Sequence, residues 1–292
     1  MGFIEKVAAT VTGSILASVI SKKYLTDKVE HNKDTILTEY QFPNTTILLP
    51  TLNEEWMVEK TLQSVKNQNI YKLYPNRIEI LVIDSDSEDK TLEIAKNYAN
   101  RIITNVERNI VTARSTGIEN SRGDLIVFTD ADTVYPHNWL NSMLKHYFQD
   151  PEIIAVSGQE FHHGINTIVD LYEPLFTDIV TSIGGQISMP MIGHNSSVYK
   201  WAYNMVEGFS VPFEYNAKND TDTQMVLEKH FTEKLKTVGK YIYDPRLIAY
   251  DYGGTRRVFY ERRKYLSNKE NLTRDEMYLL KYWKERELGI RF

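Results

Sequence analysis

From Thr46 onward, short apolar runs alternate with segments whose apolar residues recur every three or four positions. Thr46–Leu49 is a β-branched and apolar run ending at Pro50, which predicts a strand, and Val58, Leu62 and Val65, spaced by four and three, predict a helix. The same reading predicts a strand over Ile78–Ile83, a helix over Glu88–Ala99 with Leu92, Ala95 and Ala99 on one face, and a short strand over Arg101–Thr104. A helix over Asn109–Ser121, a strand over Leu125–Thr129 and a helix over His137–Gln149, with Leu140, Leu144 and Tyr147 together, complete the series. Alternation of this kind predicts an α/β fold with a mainly parallel central sheet and helices on both faces. Residues 161–192 show no period, and an acceptor groove or lid fits there, because loops carry specificity.

The two ends read differently. Val7–Ser21 is an uncharged run of 15 residues between Glu5/Lys6 and Lys22/Lys23. It is shorter than the roughly 20 apolar residues of a membrane span, it is interrupted by Thr, Ser and Gly, and Glu5 spoils the basic start of a signal peptide. An amphipathic helical arm is the preferred reading, with an anchor and a signal as alternatives. Ser267–Leu288 predicts a helix whose Tyr and Trp lie among alternating charges, suited to packing on the domain, to a partner or to a membrane interface. The expected division is an arm and connector over 1–43, a main domain over 44–260 and a basic helical tail over 261–292.

Ligands of such sheets sit beyond the carboxyl ends of the strands. That rule selects Pro50-Thr51-Leu52-Asn53-Glu54, Asp84-Ser85-Asp86-Ser87 and Asp130-Ala131-Asp132. Each could equally be a turn or a helix cap, and Ser87 is expected to cap the helix after it. Two carboxylates two residues apart at a strand end suit Mg²⁺ or Mn²⁺, which bind through one or two carboxylates plus substrate phosphates. Two other classes share that tripeptide or its fold. Haloacid-dehalogenase-like phosphatases would use Asp130 as a nucleophile, but on a first strand. Nucleotidyltransferases open on a glycine-rich loop, where this chain has Pro-Thr-Leu-Asn-Glu-Glu.

Composition narrows the field. Hydrophobic residues are 42% and charged residues 25% of the 292, an ordinary globular balance. The net charge of −5 argues against a nucleic-acid binder. The absence of cysteine excludes disulfides, thiolate-bound zinc and thiol catalysis and fits a cytoplasmic setting. The stretch from Gly253 to Phe292 carries 11 Lys/Arg against 6 Asp/Glu. It suits an anionic ligand, a solvated face or peripheral contact with the inner face of a membrane.

The run Ile47-Leu48-Leu49-Pro50-Thr51-Leu52-Asn53-Glu54-Glu55 resembles the opening strand of family 2 glycosyltransferases. Leu81-Val82-Ile83-Asp84-Ser85-Asp86-Ser87-Glu88-Asp89-Lys90-Thr91 resembles their second strand and turn. Arg114, Gly117, Gly123-Asp124, Asp130-Ala131-Asp132, Gly193-His194-Asn195 and Asn219-Asp220-Thr221-Asp222 follow in the family's order, over roughly residues 44–260. The resemblance implies a GT-A fold and inverting transfer from a nucleotide-diphosphate sugar (a UDP- or GDP-sugar) to a glycan, lipid or protein acceptor. It implies that Pro50, Thr51, Asn53, Glu54 and Asp84 hold base and ribose, and that Asp132 ligates Mn²⁺ or Mg²⁺. Asp130 would contact ribose or the metal's water shell, with Ala131 between the two carboxylates. Arg114 would reach ribose or phosphate, and Gly193, His194 and Asn195 would face the acceptor. Asp220 is the candidate general base, since an inverting displacement needs a carboxylate opposite the leaving group, and Asp222 is the second choice. Arg256 and Arg257 after Gly253-Gly254 resemble a loop that closes over the diphosphate. The family's usual Glu is Asn219 here, which also motivates a reading as a sugar-nucleotide-binding protein without catalysis.

Overall fold

The computed structural model describes residues 36–162, 191, 193–209, 220–253, 268–269 and 277, with 161–162 and 220–226 described by backbone alone. The arm, Arg256, Arg257, Asn219 and nearly all of the tail lie outside the described residues. The elements are β1 (Thr45–Thr51), α1 (Val58–Lys66), α2 (Asn69–Leu73), β2 (Ile78–Asp84), α3 (Thr91–Ala95), β3 (Arg101–Ile103), α4 (Ile110–Asn120) and β4 (Leu125–Phe128). They continue with β5 (Thr133–Val134), α5 (Trp139–Gln149), β6 (Ile153–His162), β7 (Ser196–Tyr199), α6 (Lys200–Met205), α7 (Asp220–Leu235) and β8 (Lys240–Asp251).

All eight strands join one sheet in the order β3-β2-β1-β4-β7-β6-β8-β5. The first four pair in parallel. Beyond β4 the sheet turns antiparallel through β7 and β6, returns to a parallel β6–β8 pair and ends on an antiparallel β5. The result is a mixed α/β architecture with helices on both faces, as expected.

Strand alternation sends successive side chains to opposite faces. On one face Ile47, Leu49, Val82 and Val127 pack under Val58, Leu62 and Val65 of α1 and Leu140, Met143 and Leu144 of α5. On the other, Leu48, Leu81, Ile126 and Phe128 pack under Ala113 and Ile118 of α4 and Phe231 and Leu235 of α7. Pro50 can sit in a central strand because β4 pairing ends at Leu48, so its missing N–H forfeits no ladder bond.

One predicted helix is much shorter than expected. The segment 88–99 forms only the five residues of α3 as regular helix. The backbone N–H groups of Ser87, Glu88, Lys90 and Thr91 donate to the side chains of Asp84, Asn53, Glu55 and Asp89. Side-chain acceptors of this kind compete with helical bonding. Ser87 is therefore no cap; its hydroxyl accepts from the N–H of Asn53 at 2.9 Å. Among the described residues no helix is long and apolar enough to cross a membrane.

Candidate active site

The crevice is built from the carboxyl ends of β1, β2 and β4. Thr51 and Asp84 are register partners and both are buried. The Thr51 hydroxyl donates to Asp84 Oδ1 at 3.1 Å, and the N–H of Ser87 donates to Oδ2 at 3.0 Å. Asn53 (φ 56°) and Asp86 (φ 66°) take the left-handed conformation, which Asn and Asp tolerate best among non-glycine residues. That turn lets the loop after β1 grip the loop after β2. The N–H of Glu54 donates to Thr91 Oγ1 at 2.7 Å, and the N–H of Glu55 donates to Asp89 Oδ2 at 3.1 Å. With the bonds that shorten α3, the two loops form one wall.

Asp130-Ala131-Asp132 forms the floor. The Thr61 hydroxyl fixes the Ala131 carbonyl at 2.8 Å. The Tyr135 hydroxyl accepts from the N–H of Asp130 and donates to the His194 carbonyl at 2.8 Å, tying the floor to the turn before β7. Asp251, the last residue of β8, lies opposite Thr133, and the N–H of Tyr252 donates to the Asp132 carbonyl at 3.0 Å. A Cβ at residue 253 would stand 2.5 Å from Asp132 Oδ2 and 3.1 Å from Asp251 Oδ1, so only glycine lets both carboxylates approach this backbone. The Glu54 carboxylate, buried and hydrogen-bonded to Trp56 Nε1 at 2.7 Å, completes the acidic group.

This crowding moves the Asp132 carboxyl up to about 8. Desolvation by the crevice is the largest cause, followed by the charges of Asp130, Asp251 and Glu54, with His194 partly opposing them. His194 lies with Nε2 2.9 Å from Glu160 and Nδ1 3.6 Å from Asp130. Burial alone would lower its pKa, but the hydrogen bond and charge of Glu160, with Asp130 and Asp251, outweigh burial and raise it to about 9. The carboxylates around His194 thus favour its charged imidazolium form.

Arg114 is held between two carboxylates. Its side chain is only 4% exposed, Nη2 donates to Asp130 Oδ1 at 3.2 Å, and Nη1 lies 3.8 Å from Glu228. The guanidinium is enclosed by protein rather than offered to a ribose or phosphate. It lies flat on Gly193, where any Cβ would collide with it. Asn195 is also committed: it is fully buried, accepts from Trp139 Nε1 at 2.7 Å and donates to the carbonyls of Gln159 and Leu247 at 2.8 Å. It braces the segment before β7 against β6 and β8. Of that trio His194 alone turns its side chain to the carboxylate group. Asp220 opens α7, and its side chain is outside the described residues.

Among the described residues no three His, Asp or Glu side chains close around a common point at ligand spacing. The chemistry of the floor nevertheless suits a divalent cation. Its donors are hard carboxylate oxygens, and the raised Asp132 registers uncompensated negative charge. Sequence reading missed Asp251, Glu160 and Glu228. Asp251 had a faint signal, an acidic residue followed by Tyr-Gly at the end of the apolar run Leu247–Tyr250.

The profile of "Glycosyl transferase family 2" matches residues 46–201. A dolichyl N-acetyl-alpha-D-glucosaminyl phosphate 3-beta-D-2,3-diacetamido-2,3-dideoxy-beta-D-glucuronosyltransferase of Methanococcus voltae is 33% identical over 124 residues, 38% of this chain and 37% of that one. Glycosyltransferase AglE of Haloferax volcanii is 32% identical over 104 residues, 34% and 33% of the two chains. The matches thus span about a third of these curated relatives. Among solved structures, mannosyltransferase PcManGT from Pyrobaculum calidifontis, in complex with GDP-Man and Mn²⁺, superposes with a TM-score of 0.56 at 18% identity, covering 89% of this chain and 72% of that one. TarS of S. aureus, residues 1–349 in complex with UDP, gives 0.52 at 15% identity, covering 85% and 72%. At such identities the likeness establishes the fold.

Proposed function

The chain belongs to glycosyl transferase family 2, and from that premise we propose that it is an inverting glycosyltransferase using a nucleotide-diphosphate sugar. The observation that carries the reading is the Asp132 carboxyl raised to about 8, in a crevice with Asp130, Asp251 and Glu54 around it. A floor of this kind suits a cation, and with it the diphosphate that a cation brings. Neighbours of the same fold bind GDP-Man with Mn²⁺ and UDP.

In this reading the wall of Pro50, Thr51, Asn53, Glu54 and Asp84 receives base and ribose. Asp84 keeps lone pairs for the base while Thr51 and Ser87 fix its orientation. Asp132 would hold Mn²⁺ or Mg²⁺, with Asp130 and Asp251 beside it. The metal's chemistry there is neutralisation of charge on the leaving diphosphate. Asp220 takes the proton of the acceptor hydroxyl, whose oxygen forms a new bond to the anomeric carbon. The bond from that carbon to the diphosphate oxygen breaks, and the nucleoside diphosphate leaves from the opposite face. Arg256 and Arg257 would close on the diphosphate. Arg114 and His194 are reassigned as fixed cations that hold Asp130 between them.

That arrangement weighs against a phosphohydrolase in which Asp130 is the nucleophile, since one of its oxygens faces Arg114 and the other faces His194. The test is thermal stabilisation by UDP, GDP and their sugars, with and without Mn²⁺, in the wild type and in Asp132→Ala. Metal-dependent stabilisation by one nucleotide, lost in the variant, is expected, because a ligand of the folded state raises the melting temperature. Equal stabilisation of both proteins would overturn the assignment of Asp132.

A further inference from the structure

Helix α7 is joined to the Asp130–Asp132 edge of the sheet through a shared cation, Arg114. Its inner face carries Leu227, Phe231, Thr232 and Leu235, all buried, and between them Glu228, whose side chain is 12% exposed. Glu228 Oε1 accepts from the N–H of Gly193 at 3.1 Å and stands 3.8 Å from Arg114 Nη1. The other arm of the same guanidinium holds Asp130 at 3.2 Å. One turn further on, Thr232 Oγ1 accepts from the N–H of Met191 at 2.7 Å and donates to the Glu228 carbonyl at 2.6 Å. The helix is thereby fixed to the strip 191–193 at two successive turns.

Phe231 and Leu235 contact a smooth apolar sheet face, which resists sliding weakly. The hydrogen bonds from Gly193 and Met191 resist it more, because they are directional, and the buried Arg114 charge beside Glu228 adds an electrostatic restraint. Asp220 is eight residues before Glu228 on the same helix, so an axial shift of Glu228 carries Asp220 with it over a span of about 12 Å.

We infer that Glu228 is a positioning residue that sets the register of α7, and with it Asp220, against the Asp130–Asp132 edge, using Arg114 as the common cation. This rests on the proposed function only for the role of Asp220; the mechanical link stands on the contacts themselves. It also accounts for Gly193, since any side chain there would lift the guanidinium away from both carboxylates. The donor wall on β1 and β2 is built without α7, so the linkage acts on turnover rather than on donor binding.

The test is Glu228→Gln, which keeps the size and the hydrogen bond from Gly193 and removes the charge, beside Glu228→Asp, which keeps the charge. Two readouts are taken: nucleoside diphosphate released from a panel of UDP- and GDP-sugars in Mn²⁺, and hydrogen–deuterium exchange over 220–227. Glu228→Gln is expected to lower kcat by about tenfold or more, in line with the loss of other supporting contacts around a metal site, with donor KM within about twofold. Exchange over 220–227 should quicken while the melting temperature holds, and Glu228→Asp should recover part of both effects. Unchanged exchange in Glu228→Gln overturns the inference. So does a parallel loss of donor affinity and turnover, which would make Glu228 a general structural residue. If the wild type releases no nucleotide from any donor, the activity reading fails instead, and exchange alone decides whether Glu228 registers the helix.

Discussion

Glu79 and Asp132 are both carboxylates withdrawn from solvent on this sheet, and they are treated in opposite ways. At the amino-terminal side of the sheet, Glu79 accepts from the Thr46 hydroxyl at 2.8 Å, Arg101 Nη1 at 2.8 Å and the backbone N–H of Arg122 at 3.0 Å. Burial pushes its pKa up, but the Arg122, Arg101 and Thr46 contacts together outweigh burial and hold it below the usual carboxylate range. At the carboxyl-terminal side, Asp132 meets desolvation and three more carboxylates, and its pKa rises to about 8. A buried charge stabilises a fold only where its partners are supplied. The chain supplies them to Glu79 and surrounds Asp132 with like charge instead.

The contrast breaks most plainly on substitution. Asp132→Ala is expected to lower transfer by roughly a thousandfold, several kcal/mol of lost charge stabilisation, while leaving the melting temperature of the metal-free protein unchanged or higher. Activity assays with a matched melting curve read both; a large fall in stability would mean that Asp132 is a structural residue like Glu79. Glu79→Ala should do the converse. It should cost about 3 kcal/mol in chemical denaturation, because it leaves Arg101 and two hydrogen-bonding groups without their acceptor, and folded molecules should retain full turnover.

Gly193→Ala sharpens the comparison at the edge of the site. Its new methyl group would displace the Arg114 guanidinium, at a cost of about 2 kcal/mol by analogy with overpacked cores, and turnover should fall further than stability predicts. Normal turnover in this variant would show that Arg114 does not brace Asp130.

The effect of pH is the most gradual, because it is spread over several units. The folded metal-free protein keeps a proton on Asp132 up to about 8 and on His194 up to about 9. The unfolded chain releases those protons near the ordinary carboxylate and imidazole values. Metal-free stability should therefore fall as pH rises from about 4 to about 9 through these groups. Glu79 acts with the opposite sign, contributing stability above the ordinary carboxylate range that is lost on acidification. Mn²⁺ must displace the Asp132 proton, so its affinity should rise by about tenfold per pH unit and level off near pH 8. Titration calorimetry in buffers of different protonation heat would register the released proton; a flat pH dependence would remove Asp132 from the coordination set.

The parallel half of the sheet was legible because its strands are buried on both faces and read as unbroken apolar runs. The antiparallel half was not. Strand β7 contains Ser196 and Ser197, both fully buried, and Ser197 is satisfied by the Tyr147 hydroxyl at 2.7 Å rather than by apolar character. Strand β8 carries Pro245 within it, and its register with β6 shifts between Gly158 and Gln159. The three strand-end clusters were found where the rule for parallel sheets placed them. Asp251 escaped because it comes from β8, and Glu228 because it reaches Arg114 from α7, far along the chain.

The arrival of Asp251 beside Asp132 bears on how the chain folds. The two residues are 119 positions apart (251 minus 132) and are brought together by the β5–β8 pair at the far edge of the sheet. Contacts so distant in sequence form late, since the loop-closure entropy must be met before they contribute. A nascent chain that has completed β1 to β4 already owns the wall formed by the loops after β1 and β2 but lacks the full acidic floor. Metal-dependent nucleotide retention would then appear only at the last stage of folding, making it a kinetic probe of the moment when the two halves of the sheet first become one.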